Sequence, residues 1–199
     1  MPPTPSPFRY RARIPAGFVR AAPGAGGVWH LGPGTTYAPL GHQLEHFATP
    51  SSDAQASVFA LAAAPFAGAR GDPAAWARAV SEAVGDDRPR FGPGGDDDPD
   101  ARPTSPAPAV FDRPGGLGVL TAWRRPTARG AIDRYTWVAE RGPQVYVVRL
   151  QVTGSRPVDR VARWLAAFCT APFGVACERA WVFPEAPPLR PPPPPRDNQ

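Results

Sequence analysis

The hydrophobic pattern is clearest between Leu117 and Phe168, where apolar and polar positions alternate in three runs and then switch to helical spacing. Leu117 to Arg124, Ile132 to Glu140 and Gln144 to Val152 predict three strands, the last two joined as a hairpin across Arg141-Gly142-Pro143. Successive strand residues point to opposite faces. Tyr135 and Trp137 therefore share one face, as do Tyr146, Val148, Leu150 and Val152, and Arg134 and Arg149 turn to the other. Ser155 to Pro157 opens a helix whose apolar stripe is Val158, Val161, Ala162, Leu165 and Phe168, with Asp159, Arg160 and Arg163 on its wet side.

The first half of the chain reads in the same way. Phe8, Tyr10, Ala12 and Ile14 alternate with Arg9, Arg11 and Arg13, which predicts a half-buried antiparallel strand with an arginine face. A hairpin is predicted from His42 to Thr49 and Ser57 to Ala64, across the turn cluster Pro50-Ser51-Ser52-Asp53. Val28, Trp29 and Leu31 suggest a short strand or an anchored loop before it. Asp72 is a natural N-cap and Pro73 suits the first helical position. Trp76, Ala79, Val80, Ala83 and Val84 then recur at helical spacing until Gly85. Cys177 to Phe183 predicts a last short element, with Trp181 and Phe183 packing back on the body. Strand runs followed by helices give an α+β fold, a single curved antiparallel sheet with its helices packed on one face and the other face open.

Composition divides the chain. Its 30 prolines and 20 glycines gather at Met1 to Pro7, Pro23 to Gly34, Gly92 to Pro108 and Pro184 to Pro195. The expected organisation is a disordered N-terminus over 1–7, one α+β domain over 8–183 and a Pro-rich disordered tail over 184–199. The stretch from Asp86 to Pro108 is rich in Pro, Gly and Asp, with Phe91 its only large apolar residue, so it reads as a flexible insertion loop. No apolar run approaches the length of a membrane span and no secretory signal is evident, so a cytoplasmic protein is expected. Cys169 and Cys177 would then be reduced thiols, with Cys169 a small core residue.

The chain has a net charge of +5 and a pI near 10.0, and all 22 of its basic residues are arginine. The missing lysine points to GC-rich coding as one source of that basicity, and an acidic partner is permitted but not required. Arg9, Arg11, Arg13, Arg134 and Arg149 would make one basic patch on the helix-free side if their strands were neighbours, with Trp123 an exposed aromatic beside it. The plainer reading is an arginine-rich solvent face set by coding bias, since Tyr10, Tyr135 and Tyr146 point inward and leave no stacking platform among the arginines. If the patch binds, an acidic protein segment suits it as well as nucleic acid.

Other motifs carry less. His42-Gln43-Leu44-Glu45-His46 matches H-x-x-E-H, a zinc pattern that needs a helix. On a strand, His42 and His46 stand about 13 Å apart, too far for one metal. A metal-dependent hydrolase using His42, Glu45 and His46 is the enzymatic alternative; otherwise no metal or cofactor is expected. Asp96-Asp97-Asp98-Pro99-Asp100 lacks the alternating ligand spacing of a calcium loop and reads as a solvated acidic run. Leu189 to Arg196, with Pro191 to Pro195 unbroken, should be polyproline II within the tail.

The opening strand ending in Pro15-Ala16-Gly17-Phe18, the helix after the first hairpin, and Asp133-Arg134-Tyr135-Thr136-Trp137 followed by Val145-Tyr146-Val147-Val148-Arg149-Leu150 leading to a last helix together resemble the PsbP-like superfamily. Within it the DcrB-like proteins and the Eag chaperones of type VI secretion effectors look most similar, over roughly Phe8 to Phe173. The resemblance implies a binding role without catalysis and transfers no site residue. The function expected is that of a chaperone or adaptor for another protein, such as a secreted effector. Nucleic-acid binding through the arginine face is a weaker alternative.

Overall fold

The computed structural model describes residues 8–20, 29–32, 35–37, 43–51, 53–84, 106–111, 116–127 and 130–185. The Pro-rich termini, most of the Asp-rich insertion and His42 lie outside them. Strands β1 (Val19–Arg20), β4 (Gln43–Ala48), β5 (Ala54–Ala62), β6 (Ala109–Phe111), β7 (Gly118–Thr127), β8 (Gly130–Arg141) and β9 (Gln144–Thr153) form one open sheet in the order β1-β4-β5-β9-β8-β7-β6. Every neighbouring pair in it is antiparallel. A separate two-stranded hairpin joins β2 (Trp29–Gly32) to β3 (Thr35–Tyr37).

The two helices occupy opposite faces of this sheet. α1 (Pro73–Ala83) starts as its sequence dictates: Pro73 has no N–H to leave unpaired, and the Asp72 carboxylate accepts from the amides of Ala74 at 3.0 Å and Ala75 at 3.1 Å. Its Trp76, Ala77 and Val80 pack against Phe59, Val119, Val138, Val145 and Val147. α2 (Val158–Leu165) runs on through a π-helical turn, Ala166–Thr170, and a short 3-10 turn, Ala171–Phe173. It covers the other face, where Val161, Leu165 and Phe168 meet Tyr135, Trp137, Val148 and Leu150.

This corrects the expectation of helices on one face. The physical reason lies in β9, where Val145 to Val148 is apolar at every position, so both its faces are buried and each demands a cover. Trp137, Phe168 and Leu165 are wholly inaccessible. Burial of a side chain of this size contributes about 2–3 kcal/mol each before the entropy of ordering is charged against it.

A second correction concerns residues 8–14. They take no regular secondary structure and pair with no strand. The alternation holds as far as Arg13 and fails at Ile14: Tyr10 is buried, Phe8 and Ala12 are half-buried and Arg9, Arg11 and Arg13 are exposed, but Ile14, expected on the covered side, is 41% exposed. Hydrophobic alternation records which side of an extended chain is covered. Here the cover is the aromatic end of the α2 layer, with Phe8 stacked on Phe173 at 5.4 Å and edge-on to Tyr146 at 5.0 Å. The closing segment behaves as its composition suggests, with Trp181 edge-on to Phe111 at 4.9 Å and Phe183 against Tyr135 at 5.9 Å.

Candidate functional site

On the α1 face the sheet register lays out side chains in rows. The row under the helix is apolar: Phe59, Val147, Val138 and Val119 are successive partners on β5, β9, β8 and β7. One step toward the far end, His46, Ser57, Arg149, Thr136 and Thr121 cross five strands at one register. The next step brings Ala48, Gln55, Gln151, Arg134 and Trp123 into line. The α1 face therefore changes from an apolar floor beneath a helix to two polar rows within a few residues.

Those polar rows are tightly held. The Arg134 guanidinium donates to the Gln151 side-chain oxygen at 2.7 Å and lies 5.2 Å from the centre of the Trp123 ring. A cation over an indole face is attracted by the ring quadrupole, by about 0.5–1 kcal/mol where water has access and more where it is excluded. Arg149 donates to the carbonyl of Ser81, in the last turn of α1, at 2.8 Å and lies 5.5 Å from the Phe59 ring centre, so it ties the helix to the polar rows. Trp123, expected as an exposed aromatic, is half-buried in this arrangement.

The anticipated single arginine patch does not form. Arg134 and Arg149 lie on the α1 face, whereas Arg9, Arg11 and Arg13 lie outside the segment that packs on the α2 side. The cause is the missing ladder. A segment laid across one face of the sheet cannot share the opposite face with β8 and β9.

Glu45 and His46 are adjacent on β4 and point to opposite faces. His46 sits opposite Ser57 on the α1 face, and Glu45 sits opposite Val58, on the α2 side, where it pairs with Arg20 at 3.2 Å. Two groups on opposite faces of a strand cannot share one ion, so this pair has lost the geometry of a zinc site. Among the described residues no group of three or more His, Cys, Asp or Glu side chains converges on a common point.

His46 instead makes a hydrogen bond between its Nδ1 and the Ser57 hydroxyl at 2.7 Å, and burial pulls its pKa down to about 4. The imidazole is therefore neutral at neutral pH and a weak base there. Asp96, Asp97, Asp98 and Asp100 lie outside the described residues. Cys169 is fully buried and Cys177 half-buried; both thiols are free, and burial raises the pKa of each, that of Cys177 to about 11. Neither is poised as a thiolate nucleophile.

Sequence reasoning missed Gln55, Ser57, Thr136 and Gln151 as members of the polar rows. Their alternation within each strand was visible, but their alignment depends on the β5–β9 register, which no local pattern reports. No protein-family model matches the chain, and no curated protein matches it in sequence. Among the described residues no helix is long and apolar enough to cross a membrane.

Proposed function

We propose that the protein is a non-enzymatic binding module that engages another protein as an adaptor or chaperone, and that the Trp123–Arg134–Gln151 row is its contact surface. The observation that carries this reading is the Arg134 guanidinium held between the Gln151 carboxamide and the Trp123 ring. Tryptophan and arginine are the side chains most enriched where binding energy concentrates, and a fixed rotamer reduces the entropy lost on association. The PsbP-like resemblance points the same way, and a secreted effector is one partner it suggests. The neutral, serine-bonded His46 favours a structural role over catalysis.

The test is affinity co-purification from the native host with in-cell crosslinking, comparing the natural protein with Trp123→Ala and Arg134→Ala. A partner retained by the natural protein and depleted at least about tenfold by both variants supports the reading, tenfold being about 1.4 kcal/mol of binding. A protein that elutes alone, or a partner held equally by all three, overturns it. Thermal unfolding of the variants establishes that the loss is not a loss of fold.

A further inference from the structure

Residues 8–14 combine three features. Their apolar side is fastened: Tyr10 donates its hydroxyl hydrogen to the carbonyl of Phe168 at 2.7 Å, the Phe8 ring packs on Phe173 and Tyr146, and the Arg141 guanidinium lies 5.2 Å from the Phe8 ring centre; the Tyr146 hydroxyl, 3.2 Å from the Phe8 carbonyl, has its one hydrogen shared with the nearer Gln144 side-chain oxygen at 2.7 Å. Their backbone is uncommitted: among the described residues, positions 9 to 14 make no ladder hydrogen bond to any strand. Their outer side is cationic: Arg9, Arg11 and Arg13 are exposed, and no carboxylate among the described residues pairs with them.

An extended chain repeats its side chains on one side about every 6.6 Å, so the three guanidiniums form a row about 13 Å long. Beside its start lies a groove of about 340 Å³, lined by the apolar Phe8, Leu44, Ala60 and Tyr146 and by Arg9, Gln144 and Glu45, the last with its carboxylate paired to Arg20 at 3.2 Å. Ala60 and Tyr146 are register partners on β5 and β9, and the small alanine leaves the space open. Leu44 stands at an irregularity in β4 and is 52% exposed.

We propose that residues 8–14 form a docking strand for an extended acidic segment of a partner protein. Carboxylates at alternate positions of that segment pair with Arg9, Arg11 and Arg13, its backbone adds to the open edge, and an apolar side chain at its end enters the groove. The match is one of period and charge: a partner strand repeats its carboxylates at the spacing at which this chain repeats its guanidiniums, and each guanidinium can hold a carboxylate through two hydrogen bonds. A single-stranded nucleic acid finds the charge but not the stacking, because Phe8 and Tyr10 are committed to the core. This deepens the reading of the protein as a binding module by naming partner chemistry at a second surface, remote from Trp123.

Fluorescence anisotropy tests it with a short labelled peptide that alternates glutamate with valine and ends in leucine. The full chain is expected to bind it saturably, more weakly as salt is added. The combined variant Arg9→Glu, Arg11→Glu, Arg13→Glu is expected to weaken it at least about tenfold, the loss of a charge-assisted contact of ordinary strength. These side chains are exposed, so the variant should keep the thermal midpoint of the natural protein. Ala60→Leu, which fills the groove, should weaken this peptide more than one lacking the leucine, and Trp123→Ala should bind it normally. Absence of saturable binding, equal binding by the triple-arginine variant, equal binding of the glutamine analogue, or tighter binding of an oligothymidylate overturns the proposal. None of these failures touches the Trp123 row, whose co-purification test stands separately.

Discussion

Tyr10 completes the helix that Phe168 belongs to, although the two are 158 positions apart in sequence and their hydrogen bond is 2.7 Å long. Pro172 stands four residues after Phe168, where a regular α-helix would find the amide donor for that carbonyl, and proline has none to offer. The Tyr10 hydroxyl supplies the hydrogen, and burial holds its own pKa far above the usual phenolic value. Residues 8–14 and the α2 layer are thus joined by a long-range side-chain bond.

Tyr10→Phe should therefore destabilise the protein by about 1–2 kcal/mol, the cost of leaving a buried carbonyl unpaired. Tyr10→Ala should cost about 3 kcal/mol or more, because a cavity is added to the lost bond. Urea unfolding followed by tryptophan fluorescence measures both, and equal stability of Tyr10→Phe and the natural protein would show that water replaces the phenol.

His46 should make stability fall as the medium is acidified. Its folded pKa of about 4 lies below the unfolded value of 6.5, so the neutral form is favoured by folding. The corresponding stability is fully present above pH 6.5, declines as the pH falls from 6.5 to about 4, and amounts to roughly 3 kcal/mol over that window. Denaturation curves at several pH values should show this slope, and His46→Gln, which can still reach the Ser57 hydroxyl, should flatten it.

Asp53 acts at lower pH and at a different joint. Burial alone would raise its pKa, but hydrogen bonds from Thr49, Arg156 and Ser51 outweigh it and hold the carboxylate at about 2, against an ordinary 3.8. Stability from this group is present above pH 3.8 and is lost as the pH falls toward 2. The Asp53 carbonyl also accepts from the Thr153 amide at 2.7 Å, so the β4–β5 turn is bound to the exit of β9. Asp53→Asn should cost about 1 kcal/mol at neutral pH after allowance for solvent screening. The same change should shrink the loss of stability between pH 4 and 2, measured by thermal unfolding.

Two glycines with positive φ should respond differently to alanine. At Gly142, φ is +58° and an added methyl group meets nothing within 4 Å, so Gly142→Ala should cost only about 1 kcal/mol of left-handed strain. At Gly116, φ is +117° and the new carbon would stand 2.9 Å from the Glu140 carbonyl oxygen. Gly116→Ala should cost about 2–3 kcal/mol or more. A shift in urea midpoint of the same size for both would refute the distinction.

Much of the architecture is legible in local pattern, because local physics decides it. Asp72 and Pro73 announce α1, and Tyr135, Trp137, Tyr146 and Val148 disclose the covered face of the β8–β9 hairpin. The second apolar face was signalled by Val145 to Val148, a run without polar interruption, yet alternation alone assigns only every other residue of it. Arg9, Arg11 and Arg13 show the opposite limit: their period is correct, but period says nothing about which partner, strand or helix layer, covers the other side. The polar rows were least legible, since His46, Ser57, Arg149 and Thr136 align only once β5 has paired with β9.

That pairing also shapes how the chain must assemble. β4 with β5, and β7 with β8 and β9, are meanders whose partners are near in sequence. They meet along one seam, Ala54 to Ala62 against Gln144 to Val152, which carries nine register pairs. Local hairpins close fast and a long-range seam closes slowly, so joining the two meanders is the expected kinetic bottleneck. The length of chain between β5 and β7 enters that step only as closure entropy, about 0.6 kcal/mol for each doubling. Lengthening or trimming the acidic insertion should therefore cost little thermodynamically, while substitutions along the seam decide whether the two halves become one protein.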